Sequence, residues 1–295
     1  MAETVTREWI EGQRAYNYHR TPERSIENPE AARAFVDEVG FCHFWPIKGA
    51  ELPNLFQAIA GRARPVPMEH DDPDIDRCWS WKDDALGKRQ WYYGKLLRRR
   101  ATLVSLEKLP LFYAASENLG DLDDYLEEYS AGQMTAEAKW ICEALLEQGP
   151  LDTIQLRQKA GLSSGGAKSR FDRALVELQA GLKLLPIGVA RVGRWRYAFT
   201  YELLLRHFPE LSEQARVIKR SEAQRRLIRR YLENVVAADR ATVKGVFHVL
   251  KWTPAELERA IATLLEEGAA RETQVEGIPE AQLVSLRYLG QELRP

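Results

Sequence analysis

Cysteine is scarce in this sequence, occurring only at Cys42, Cys78 and Cys142. Three thiols so far apart give neither a disulfide framework nor the close ligand pairs of a zinc site, so they read as free and buried. The five histidines, His19, His43, His70, His207 and His248, show no metal spacing, and no metal is expected. No run of about 18 uncharged apolar residues is present, so no membrane-spanning helix is expected. The first residues hold no apolar segment of the secretory type, which makes the cytoplasm the expected location. A P-loop, a dinucleotide fingerprint and a Ser/His/Asp signature are all missing, and no cofactor is expected.

What the sequence does contain is enough apolar material for a core, 45% of 295 residues, and 29% charged residues. The net charge of −1 hides an uneven distribution. Residues 1–130 carry 17 Lys and Arg against 23 Asp and Glu, and residues 236–295 carry 7 against 9. Residues 131–235 carry 18 against 11. A basic middle between acidic ends suggests a local anion-binding surface, with solvated helix faces as the alternative.

Local signals organise the chain. Thr6 to Tyr18 reads as helical. Asn28-Pro29 starts a helix that Gly40 ends, because Asn caps, Pro suits the first turn and Gly suits the stop. Phe41-Cys42-His43-Phe44-Trp45-Pro46 reads as extended, and a helix from about Leu52 to Ala60 follows. Residues 64–76, Pro-rich and acidic, read as a loop. Trp79, Trp81 and Trp91 mark a dense aromatic region of core or interface character. The acidic residues 117–128 fit a surface helix or a linker.

From Thr135 onward the order is helix, short helix (Ile154–Ala160), turn (Ser163-Ser164-Gly165-Gly166), helix (Ala167–Ala180) and hairpin (182–200), the order of a winged helix unit. It returns after Ser221, with Thr253-Pro254-Ala255-Glu256 as a capping box. The third helices of the two units align at an offset of about 86 residues. The expected fold is α+β and mostly helical, built of tandem winged helix-turn-helix units. The expected domains are 1–130, winged-helix-like with the aromatic strand, then 131–212 and 213–295.

A winged helix meets DNA with its third helix and its hairpin. In the central unit Ser163, Ser164, Lys168, Arg170, Arg173, Arg191, Arg194 and Arg196 are the candidates, with Ser164 offering a phosphate contact at a helix N-terminus. Protein contact alone is the alternative for this unit. The equivalent helix of the third unit carries Glu256, Glu258, Glu266 and Glu267 and reads as structural. Arg225, Arg226, Arg229 and Arg230 share one helix face. They fit either a phosphate backbone or pairing with the acidic segments 69–76 or 117–128.

The chain resembles the winged-helix DNA glycosylases of the AlkZ and YcaQ type, which remove bulky alkylated bases. The resemblance lies in Val39-Gly40-Phe41-Cys42-His43-Phe44-Trp45-Pro46-Ile47, in Gln90-Trp91-Tyr92-Tyr93-Gly94 through Pro110-Leu111, and in the paired winged units. In that family a short strand bears Gln–x–Gln or Gln–x–Asp, whose polar side chains position water or stabilise charge on the sugar. The matching positions here are His43 and Trp45. Histidine can orient water or take a proton, whereas tryptophan can only stack or fill space. Glu51 is the nearest carboxylate downstream. The chain is also expected to lack the family's C-terminal β-barrel. The resemblance implies DNA as partner, in duplex form, and His43, Trp45 and Glu51 as catalytic candidates. Three readings follow: a divergent glycosylase, a non-catalytic DNA binder or regulator, and a protein-interaction scaffold. An aromatic core strand is the alternative for His43 and Trp45.

Overall fold

A computed structural model describes residues 5–68, 71–194 and 196–288. Glu69 and His70 of the acidic loop, Trp195 of the expected hairpin and both chain ends lie outside the described residues. The architecture is α+β and mostly helical, with small antiparallel sheets.

Helix α1 (Arg7–Asn17) is capped by Thr6, whose side chain accepts from the Trp9 amide. Helix α2 (Pro29–Val39) begins as its sequence dictates: the Asn28 side chain accepts from the Ala31 amide at 2.8 Å, and Pro29 fills the first turn. Gly40 ends it with φ +75°, where a Cβ would also press on the Lys108 side chain at 3.0 Å. Strand β1 (Phe41–His43) follows, shorter than the extended stretch expected through Pro46. Helices α3 (Leu55–Ala60) and α4 (Pro73–Leu86) lead to a hairpin of β2 (Tyr92–Lys95) and β3 (Ala101–Val104). The expectation of a loop through residue 76 is corrected here. Asp72 caps α4 by accepting from the Asp74 and Ile75 amides, with Pro73 in the first turn. Arg64 pairs with Asp72 and with Asp74.

Helices α5 (Leu109–Ala115) and α6 (Asp124–Ser130) connect to a second round of the same order. It comprises α7 (Ala136–Gln148), β4 (Leu151–Asp152), α8 (Thr153–Lys159), α9 (Lys168–Ala180), β5 (Leu184–Ala190) and β6 (Ala198–Leu203). Short helices α10 (Leu204–His207) and α11 (Leu211–Arg216) lead to a third round. This one has α12 (Arg220–Val235), β7 (Ala237–Ala238), α13 (Arg240–Phe247), α14 (Pro254–Glu266), β8 (Ala270–Thr273) and β9 (Gln282–Ser285). Each sheet places its last strand in the middle: β1-β3-β2, β4-β6-β5 and β7-β9-β8. Helices α9 and α14, the two aligned by the sequence repeat, each have 13 residues. The two-residue strands β4 and β7 were not legible, because two residues carry no periodicity. Thr253 and Glu256 form the expected capping box.

The Ser163–Gly166 turn does not cap α9. Its N-cap position is Ala167, no side chain caps it, and the Ser164 carbonyl accepts from the Ala167 amide at 3.0 Å. The three cysteines are free and buried, as expected.

The largest apolar core spans the first and third rounds. Phe41, Tyr92, Val104 and Phe112 share it with Tyr231, Phe247, Ile261 and Leu283. A second core is built on α7, α8, α9 and β6, and a third on α2, α3 and α4. Helix α1 packs through Ile10 against Val236 and Val284 of the third round. Among the described residues no helix is long and apolar enough to cross a membrane.

Candidate nucleic-acid interface and the Glu51 cleft

Strand β1 decides where His43 goes. His43 pairs with Thr102 of β3 on one side and bridges to Asn54 on the other, and its amide donates to the Pro53 carbonyl at 2.9 Å. The side chain is 1% exposed, and no side chain among the described residues hydrogen-bonds either ring nitrogen. Burial pushes the imidazole down to about 4 against the opposing pull of the Ala101 backbone, and Arg98 and Arg100 add to the lowering. His43 is therefore a neutral group inside a wall, with no surface offered to a substrate. Trp45 lies just past the strand and is half-buried, edge-on to Phe44, Phe56 and Trp79 at 4.6, 5.4 and 6.2 Å.

That burial predicts a pH effect. Above pH 6.5 neither folded nor unfolded chain protonates this ring. Between about 6.5 and about 4 only the unfolded chain does, so stability falls with pH across that window and the effect levels off below it. The loss is on the order of 3 kcal/mol. His207, which burial also lowers to about 4, contributes in the same window. His43→Phe is expected to flatten the profile between pH 6.5 and 4, read by urea unfolding; an unchanged slope would show that the ring is not buried neutral.

Glu51 has the opposite setting. It lines an open cleft of about 370 Å3 with Arg20, Pro46, Asn54, Gln57 and Thr242, so that first and third rounds both contribute. Its Oε1 accepts from the Tyr18 hydroxyl at 2.9 Å, and its Oε2 lies 3.4 Å from Arg14. Burial raises the Tyr18 hydroxyl well above its ordinary value, and Glu51 adds to this, so the group stays a donor. Arg14 is fixed by donating to the carbonyls of Val235 and Ala237, both at 2.8 Å. Arg20 lies over the Tyr18 ring, and its buried Nε has no partner among the described residues. Arg98, in the left-handed region at φ +52°, donates to the Gly49 carbonyl at the rim. Asn54 caps α3 and donates to Gln57 at 3.0 Å. The result is a carboxylate held by one hydrogen bond and one ion pair and facing solvent, beside arginines able to meet anions. Arg14, Tyr18 and Arg20 were missed in the sequence, because no local pattern links them to Glu51.

The basic candidates fall into two sets. Lys168, Arg170 and Arg173 are exposed on α9, and Arg191, Arg194 and Arg196 are exposed where β5 turns into β6. Lys168 pairs with Asp172 at 2.8 Å, Arg170 with Glu137 at 3.0 Å, and Arg173 donates to the Ser169 carbonyl. Such exposed pairs hold weakly and yield to a phosphate. Ser163 and Ser164 are exposed in the turn before α9. In the second set, Arg225 pairs with Glu267 at 2.5 Å and Arg229 with Glu233 at 3.1 Å. Arg226 pairs with Glu222, and Arg230 with Glu233. These partners all belong to α12 itself or to the residue following α14. Of the two expected uses of this face, pairing with 69–76 or 117–128 is corrected accordingly.

Comparison with known proteins bears on the fold. No curated protein sequence matches the chain. The solved structure of Streptomyces sahachiroi DNA glycosylase AlkZ is similar, with a TM-score of 0.56. The match covers 97% of this chain and 71% of that one at 14% sequence identity, a likeness of fold. The family described as AlkZ related matches residues 26–248, three quarters of the sequence, with β1, the Glu51 cleft, α9 and the β5–β6 hairpin inside the matched span. The chain belongs to the AlkZ-related family.

Proposed function

We propose that this chain binds duplex DNA through α9 and the β5–β6 hairpin and hydrolyses the N-glycosidic bond of damaged bases at the Glu51 cleft. The exposed basic set on α9 and the hairpin carries the binding half of the reading. A helix fits a major groove, and a basic hairpin beside it meets phosphates. Family membership and the glycosylase fold of the structural relative support the second half. In this reading the three rounds, 1–130, 131–212 and 213–295, are winged helix units.

Glu51 fits the chemistry better than His43 does. As the bond to the base breaks, positive charge develops on the sugar; water then adds at C1′, and its proton must leave. A carboxylate at the mouth of a cleft can stabilise that charge and take that proton. A sealed imidazole can do neither. The burial of His43 also favours a second reading, in which the chain binds DNA without cutting it, and base release separates the two.

Binding is tested by fluorescence anisotropy on a duplex between about 50 and 200 mM salt. Replacing Arg191, Arg194 and Arg196 together by Glu is expected to weaken binding at least about tenfold and to make the log–log salt slope shallower by about 3. Absence of binding by the wild-type chain at low salt would sink the proposal.

A further inference from the structure

The seam between α4 and the β5–β6 hairpin holds a group that the Glu51 chemistry does not use. Lys82 is 0% exposed. Its Nζ lies 2.7 Å from Asp83 and donates to the Tyr197 hydroxyl at 3.0 Å, while that hydroxyl donates to Asp83 at 3.0 Å. Rings enclose the ammonium, with Trp79 and Phe199 centroids 4.1 and 4.6 Å away. Burial lowers Lys82 to about 8 while Asp83 opposes the shift, so it remains a cation at neutral pH.

Two rings of this cluster are not sealed. Trp79 is 38% exposed and Tyr197 is 39% exposed, standing edge-to-face with centroids 6.0 Å apart at 87°. Aromatics that served only to close the seam would be buried as Phe44 is. Trp79 is held from below by the ammonium and at its edges by Phe44 at 5.7 Å and Trp45 at 6.2 Å. A ring fixed in this way loses little freedom when something stacks on it. Tyr197 directly follows Arg196 and shares its hairpin with Arg191, so the open rings adjoin positive charge. Asp83 is already answered by Lys82 and Tyr197.

We propose that the open face of Trp79, bordered by the ring of Tyr197, forms a stacking platform for one unpaired nucleobase, whose flanking phosphates the hairpin arginines meet. The inference rests on the DNA-binding reading and adds to it a preference for distorted over regular duplex. Only an unpaired or extruded base offers a free face, because a paired base is covered by its neighbours. The combination of open aromatic rings with adjoining arginines is the recognition chemistry of single bases on a charged backbone.

The test compares a duplex bearing one bulged adenine with the fully paired duplex. The wild-type chain is expected to bind the bulged duplex more tightly. Trp79→Ala is expected to lower that affinity about tenfold or more while changing paired-duplex affinity by less than about twofold. Trp79→Phe is expected to restore most of the loss. Trp79→Leu keeps apolar bulk over Lys82 without the stacking ring, and gives the same answer should the alanine variant fold poorly. Equal effects on both duplexes, or none on either, would overturn the platform and leave duplex binding standing. Absence of binding to both duplexes by the wild-type chain would overturn both readings.

Discussion

Glu51→Gln is expected to cut base release from alkylated duplex DNA by about 100-fold or more, with duplex affinity changed by less than about twofold. The substitution keeps the size of the side chain and its ability to accept from Tyr18. It removes the negative charge that Arg14 balances and that the reaction needs. A general base or charge-stabilising carboxylate commonly supplies two to four orders of magnitude, so the effect should be unmistakable. His43→Phe serves as the comparison, because a ring sealed in the sheet should leave the rate within about threefold of wild type at neutral pH. The measurement is single-turnover base release, quantified as free base and as abasic sites. Equal activity in Glu51→Gln and wild type would remove Glu51 from the mechanism. Absence of release by the wild-type chain would establish the non-catalytic reading.

The second large effect concerns stability. Phe41→Ala is expected to destabilise the fold by about 3–5 kcal/mol, a large part of the total for an ordinary domain. Phe41 is fully buried in β1, edge-on to Phe112 of α5 at 5.2 Å and to Phe247 of α13 at 6.2 Å. It therefore joins the first and third rounds, and the cavity left by alanine lies where neither can relax without the other. Urea unfolding should show the midpoint of one transition moving, with both rounds lost together. A new early transition confined to the first round would contradict the shared core.

Much of the helical framework was legible because its causes are local. Asn28-Pro29 and Thr253-Pro254 act within one turn, Gly40 and Gly61 end helices by their own backbone freedom, and the 86-residue offset repeats one supersecondary unit. The start of α4 was misread because Asp72-Pro73 sits inside a run otherwise rich in proline and acid. The same dipeptide pattern that marks a loop marks a helix start when the next residues can bury a face, here through Cys78, Lys82 and Ala85.

The candidate site was legible in part. The basic residues of α9 and the hairpin were readable from charge and position. Glu51 was found only as the carboxylate nearest the strand. The family pattern drew attention to His43, but the strand turns that ring into the wall and leaves the carboxylate eight positions on to face the cleft. The dense tryptophans around Trp79 signalled a core or an interface, without revealing Lys82 among them.

By itself, then, the sequence determined most of the long helices, several of their caps, the repeated order of elements, the buried cysteines and the basic middle of the chain. Those follow from interactions spanning a few residues, or from composition. The tertiary structure alone decided which arginines are neutralised, which polar residue of the aromatic strand region meets solvent, and what surrounds it. Arg225 meets Glu267 across 42 positions, Tyr18 meets Glu51 across 33, and Lys82 meets Tyr197 across 115. Burial and pairing over such separations depend on how the three rounds pack, and no local pattern encodes that packing.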